Sequence, residues 1–238
     1  MESVDSFIGN AIERHSTFEH YLNDLVLTEQ DLAGQKVLDL GSGDPEFAGL
    51  AKAKGIDVVS VDLYKSVDPQ GLSVVTGDAM RLPFKEESFD RILARGSVHA
   101  AVESVGQLKQ LVGEAKRVLK PGGDFRFAPG CVEVMPLSLD EGNKVAAIFE
   151  TQENGGHLTP EEDDFLAKIH THVLTFMTAN RFPPEEDTSM DAFQKRTAIW
   201  TRLTGEALAE IDPRITQMPT NTPERSVVGT NSMFVIPK

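Results

Sequence analysis

Apolar positions along the 238-residue chain fall into two alternating patterns. One is the short, mostly apolar run: Val37, Leu38 and Leu40, then Val58, Val59 and Val61, then Leu72 to Thr76, Phe89 to Ala94 and Asp124 to Ala128. Strands buried on both faces of a parallel sheet read this way. The other is a helical spacing. Phe47, Leu50 and Ala51 lie on one face, and Val105, Leu108, Leu111, Val112, Ala115, Val118 and Leu119 form a longer stripe. Ser104 with Gln107 opens that second helix, and Pro121-Gly122-Gly123 ends it.

Both ends of the chain add to this core. Val4, Phe7, Ile8 and Ile12 share one helical face, and Phe18, Leu22, Leu25 and Val26 share another. Ser16 and Glu19 make a capping box, which predicts two helices joined near His15. Past the fifth strand, Thr159-Pro160-Glu161-Glu162 starts a helix striped by Phe165, Leu166, Ile169, Val173, Phe176 and Met177, and Arg181-Phe182-Pro183-Pro184 stops it. Ser189 opens another, bearing Phe193, Ile199, Trp200 and Leu203. Ile215 to Asn221 and Ser232 to Ile236 read as a closing antiparallel hairpin. The pattern predicts an α/β domain with a mostly parallel sheet: N-terminal helical cap 1–34, core 35–130, helical insertion 131–211 and closing hairpin 212–238. About 85 residues between the fifth and sixth strands exceed what a crossover needs, so part of the insertion is expected to face a substrate pocket.

The chemistry is concentrated at the end of the first strand. Gly41-Ser42-Gly43 is a tight turn where backbone can approach a ligand. Asp44 is placed to cap the next helix, with Pro45 at its first position, Glu46 in its first turn and Gly55 closing it. The second strand then delivers Asp62 to its carboxyl end. Strand, glycine turn, helix, strand and acid make a nucleoside-binding half of an open α/β sheet. Asp44 and Glu46 would repel a pyrophosphate at that helix end, and Glu46 stands where a dinucleotide fingerprint has its third glycine. A ligand with ribose hydroxyls and no phosphate suits the site, and S-adenosylmethionine (AdoMet) fits, with Asp62 accepting from both hydroxyls. Taken alone, the stretch is equally an ordinary tight βα loop.

Three later stretches narrow that choice: Thr76 to Phe84 (TGDAMRLPF), Ser88 to Ala94 (SFDRILA) and Glu114 to Gly123 (EAKRVLKPGG). With VLDLGSG at Val37 to Gly43, these closely resemble class I AdoMet-dependent methyltransferases of the ubiquinone and menaquinone biosynthesis type. The resemblance covers about Val37 to Phe127. It implies a Rossmann-like, seven-stranded sheet whose last strand is antiparallel. It also implies AdoMet over the ends of the first strands: Gly41 and Gly43 at the methionine part with Arg95 nearby, Asp62 at the ribose, Asp78 with Ala79 at the adenine. Asp39, Ser42 and Leu63 complete the implied set.

Charge narrows the substrate. The chain has 23 basic and 37 acidic residues, a net −14, which argues against nucleic acid. The absence of a basic amphipathic surface argues against anionic membranes. One cysteine, Cys131, leaves no internal disulfide and no cysteine zinc cage. The acidic start, Met1 to Asp5, is unlike a signal peptide, so a cytoplasmic location is expected. His99, just past the fourth strand, is the candidate general base for a hydroxyl acceptor; the bland alternative has it packing under the next helix. Cys131 as a nucleophile would need partner residues the chain lacks. His157, His170 and His172 suggest a metal, but His170 and His172 diverge on a helix, and His172 reads as a core or pocket histidine. The N-terminal helices are expected to cover the sheet edge or to form a lid lined by His15, His20 and Tyr21. The expected activity is methyl transfer to an O or N atom of a small molecule. Its rivals are a degenerate fold serving as a binding or regulatory module and a methyltransferase acting on protein or nucleic acid.

Overall fold

The computed structural model describes residues 18–64, 71–130, 132–153, 155–184, 187–220 and 232–238, and the side chains of His99, Ala100 and Glu153 lie outside that description. The first helix expected near Val4 to Ile12, with His15, Ser16 and Cys131, also lies outside it.

A short helix, α1 (Phe18–Asp24), leads into β1 (Lys36–Leu40), α2 (Glu46–Ala53), β2 (Asp57–Asp62) and β3 (Ser73–Thr76). Next come β4 (Phe89–Arg95), the single-turn α3 (Val98–Ala101), α4 (Val105–Val118) and β5 (Leu119–Ala128). Three helices follow, α5 (Leu139–Glu153), α6 (Pro160–Ala179) and α7 (Met190–Ile211), before β6 (Thr216–Pro219) and β7 (Ser232–Pro237). The seven strands lie in the order β3-β2-β1-β4-β5-β7-β6. β1 is parallel to β2 and β4, and β4 to β5, with Leu38 beside both Val59 and Ile92. β7 runs antiparallel to both neighbours, pairing Phe234 with Phe127 on one side and Gln217 on the other. This is the expected α/β sheet with a reversed last strand.

Strand periodicity sorts the core into two layers. Leu38, Ile92 and Phe125 face one side and pack with Leu108, Leu111 and Val112 of α4 and Leu208 of α7. Val37, Val58 and Leu93 face the other, against Phe18, Leu22 and Leu25 of the N-terminal segment and Phe47 and Ala51 of α2. The strands are largely apolar because both faces are covered.

Three local expectations fail. Asp44 does not cap α2: the helix begins at Glu46, after Pro45 with ψ 41°, and no side chain caps it. Asp44 contributes its carbonyl instead, accepting from Glu46 N at 2.8 Å. Leu50, on the supposed inner face of α2, stays at the surface. His172 is exposed, not buried, because α6 lies so far out that none of its residues is buried. Half-buried Ile169 and Val173 flank it without enclosing it.

α7 ties the parts of the insertion to one another and, through Leu208, to the core. Phe182 and Phe176 lie 4.7 and 6.2 Å from the Trp200 ring, joining the end of α6 to α7. Thr204 Oγ1, fully buried, accepts from Val132 N at 3.1 Å and lies 3.0 and 2.7 Å from the carbonyls of Val132 and Trp200. No described helix is long and apolar enough to cross a membrane.

Candidate functional site

The carboxyl ends of β1, β2 and β4 converge on the glycine turn. Gly41 sits at φ +69° and a Cβ there would fall 2.3 Å from that of Ser97, so only glycine fits. Ser97, following β4, donates through Oγ to Leu40 O at 2.6 Å, and Gly41 N donates to Val61 O at 2.7 Å. These bonds draw three strand ends together. Gly43, at φ +54°, has nothing within 4 Å of where its Cβ would be, and its face is open.

Asp62 is held by backbone. Its Oδ2 accepts from Gly43 N at 2.8 Å and its Oδ1 from Tyr64 N at 3.0 Å. Each oxygen keeps acceptor capacity, so two neighbouring hydroxyls find a fixed carboxylate rather than a mobile one. Leu63 beside it is exposed. Asp78 is exposed at the end of β3, where its Oδ1 accepts from Met80 N at 2.8 Å, and Ala79 packs on the core edge.

Beneath the turn lies Asp39, only 2% exposed. Its carboxylate accepts from the Tyr21 hydroxyl. Burial pushes the Asp39 carboxyl up to about 7, the Tyr21 bond opposes this, and the Asp62 charge adds to it. Tyr21 is pushed well above its ordinary value, first by burial and then by Asp39, so it stays a donor. The Tyr21 ring stacks on Phe47 at 3.9 Å between centroids, and the Arg95 guanidinium lies over the Tyr21 ring, 5.8 Å from its centroid. Arg95 Nε is paired to Asp24 at 2.6 Å.

Tyr21, Asp39, Gly41, Ser42, Asp44, Glu46, Phe47 and Arg95 line one pocket of about 110 Å³. Ser42 Oγ is buried there and makes no hydrogen bond among the described residues. Three carboxylates facing one guanidinium favour a ligand with more positive than negative charge that still carries an anionic group. An amino acid bearing an extra cation meets that requirement.

Of the residues singled out from sequence, Asp39, Gly41, Ser42 and Arg95 are thus brought together around one space, with Tyr21 among them. Gly43 and Asp62 adjoin it, while Leu63, Asp78 and Ala79 lie further out along the ends of β2 and β3. His20 is on the exposed side of α1. His99 has its backbone in α3, next to Ser97 and Val98 at the end of β4. His157, His170 and His172 are all exposed. No residue of the insertion lines this pocket. A larger cleft of about 650 Å³ runs between α7 and the β6–β7 edge, separated from the glycine turn by β4 and β5. Sequence reasoning missed Asp24 and the stacking role of Phe47. The i, i+3 spacing of Tyr21 and Asp24 was the available signal.

Residues 38–127 match the family described as methyltransferase domain. Residues 38–127 are thus similar in sequence to methyltransferase domains. A ubiquinone/menaquinone biosynthesis C-methyltransferase of Paracoccus denitrificans is 36% identical to it over 104 residues, covering 38% of this chain and 40% of that protein. A demethylmenaquinone methyltransferase of Paenarthrobacter aurescens is 32% identical over 110 residues, covering 44% and 42%. The crystal structure of an S-adenosylmethionine-dependent methyltransferase from Mesorhizobium loti aligns with 47% of this chain and 53% of its own, at 23% identity and a TM-score of 0.38. The chain thus spans about two fifths of the curated relatives it matches, and the methyltransferase domain accounts for the core, not for the insertion.

Proposed function

We propose that this chain transfers the methyl group of AdoMet to a small molecule. The observation that carries the reading is the fixed Asp62 carboxylate, tied to the backbone of Gly43 and Tyr64 at the end of β2, beside a turn whose Gly43 face is open. AdoMet supplies a methyl group already activated on a sulfonium. The chain's own task is to hold and orient. Asp62 accepts from the ribose hydroxyls, Leu63, Asp78 and Ala79 flank the adenine, and Gly41, Ser42, Gly43, Asp39 and Arg95 surround the methionine end. His99, on the turn after β4, is the base that takes the proton from a hydroxyl acceptor.

The acceptor in this reading is an O or N atom. A carbon acceptor is the second reading, and the name of the Paracoccus relative, a C-methyltransferase, favours it. The net charge of −14 weighs against nucleic acid in both.

Calorimetry with AdoMet on wild type and Asp62→Ala tests the cofactor site. Losing a charged acceptor is expected to weaken binding by about 2–3 kcal/mol, and equal affinities would overturn the assignment. Incubation with methyl-tritiated AdoMet and a fractionated small-molecule extract tests turnover. Label in a low-mass product is expected, and its stability to acid and base separates O-, N- and C-methyl groups. Cofactor binding with no transfer to any fraction would favour the non-catalytic alternative.

A further inference from the structure

The amino-acid end of the candidate cofactor site is already occupied by the chain itself. α1 brings two side chains, one helical turn apart, onto the two charged groups of the pocket. The Tyr21 hydroxyl donates to Asp39, the most buried carboxylate of the site. The Asp24 carboxylate accepts from Arg95 Nε at 2.6 Å. A hydrogen-bond donor on the acid and a carboxylate on the guanidinium is the pattern that an α-amino acid presents with its ammonium and its carboxylate. We infer that Tyr21 and Asp24 together are an internal stand-in for the α-amino acid moiety of the cofactor, so that α1 is a displaceable stopper that must yield before AdoMet seats. The inference rests on the AdoMet reading given above.

Three further observations support it. The space left between these groups is about 110 Å³, only a few times the roughly 30 Å³ that one water occupies in the liquid. The Tyr21 ring takes up part of the site, stacked on Phe47 and within 5.8 Å of the Arg95 guanidinium. α1 is also anchored separately: Arg126 of β5 donates through Nη1 to Leu25 O at 3.1 Å and to Val26 O at 2.8 Å. With that hinge fixed just past its end and Phe18 and Leu22 held in the core, the Tyr21 and Asp24 side chains can turn off their partners while α1 stays on the protein. Binding would then be weakened by the fraction of molecules in which the site is closed.

S-adenosylhomocysteine and 5′-methylthioadenosine separate the effects, because the second has the adenosine and sulfur but no amino-acid end. Titration calorimetry would compare wild type with Asp24→Asn, Tyr21→Phe and the double variant. Asp24→Asn frees Arg95 while leaving the Tyr21–Asp39 bond in place, and 5′-methylthioadenosine binding reports that each variant is folded. S-adenosylhomocysteine is expected to bind Asp24→Asn roughly tenfold more tightly than wild type, with 5′-methylthioadenosine unchanged. If all four proteins bind S-adenosylhomocysteine equally, or the variants bind it more weakly, Tyr21 and Asp24 are not a stopper, although the cofactor reading stands. If neither compound binds any of the proteins, the cofactor reading falls and the stopper with it.

Discussion

The two glycines of the turn should respond differently to the same substitution. Alanine at either one must adopt a left-handed conformation, which costs about 1–2 kcal/mol. At Gly43 that is all, because nothing lies within 4 Å of the new methyl group. At Gly41 the methyl group would sit 2.3 Å from Ser97 Cβ and 2.8 Å from its Oγ. Relieving the overlap costs a further 1–3 kcal/mol or so, and moving Ser97 breaks its bond to Leu40 O, worth about 1 kcal/mol. Gly41→Ala is therefore expected to lose about 3–6 kcal/mol of unfolding free energy and Gly43→Ala about 1–2. Urea unfolding with matched m-values reads both. Binding should reverse the ranking of effects: Gly43→Ala stays well folded but puts a methyl group where the ligand approaches backbone, so its S-adenosylhomocysteine affinity falls. Equal destabilisation by the two substitutions would refute the role given to Ser97. Wild-type ligand affinity in Gly43→Ala would refute the approach of the ligand to that turn.

Other perturbations probe separate parts of the molecule. Asp39, whose carboxyl rises from 3.8 to about 7 on folding, binds its proton more tightly in the folded chain. Its contribution is present below pH 4 and is lost as pH rises through 7. The full loss approaches 4 kcal/mol at about 1.36 kcal/mol per unit. Unfolding free energies of wild type and Asp39→Asn from pH 4 to 8 should therefore diverge with pH; a constant difference would contradict this. Thr204→Val keeps the shape of a fully buried side chain but strands the Val132 amide, so it should cost about 1–3 kcal/mol in the same urea assay; a neutral result would show that the insertion is not held there. His99→Ala should lower turnover roughly 100-fold on a hydroxyl acceptor while leaving AdoMet affinity unchanged, and full activity would remove His99 from the mechanism.

Legibility followed the strength of the local signal. The strands were readable because burial on both faces forces short, largely apolar runs such as Val58 to Val61. α4 and α7 were readable from their capping residues, Ser104 and Ser189, each of which accepts from a backbone amide three positions on. α5 was not anticipated. Its sequence is polar, and Gly142 reads as a breaker, yet that glycine lets α5 approach α4: a Cβ there would fall 2.7 Å from Ser104 Oγ. The cap of α2 was misread because Asp44 has the right chemistry in the wrong place, on a turn that the glycine geometry bends away from the helix. The placement of the glycine turn, Asp62 and Arg95 at the strand ends was legible because their positions follow from the strands themselves. The Asp24–Arg95 pair was not, since 71 residues separate its partners and no local pattern joins them.

The position of β7 has a consequence for assembly. In chain order it follows β6, but in the sheet it stands between β5 and β6. β6 therefore has no strand to join until β7 has threaded back to Phe125 and Phe127. A nascent chain that has emerged only as far as residue 220 holds five strands ready and a sixth with nowhere to go. Replacing Ser232–Pro237 by residues that cannot pair would remove one strand by sequence but two by topology. It would also uncover the layer in which Phe127 and Phe234 meet, with their rings 5.4 Å apart. Closure of the sheet is thus a late event, completed by pairing between segments more than 100 positions apart in the chain, with the slow kinetics that such non-local contacts impose.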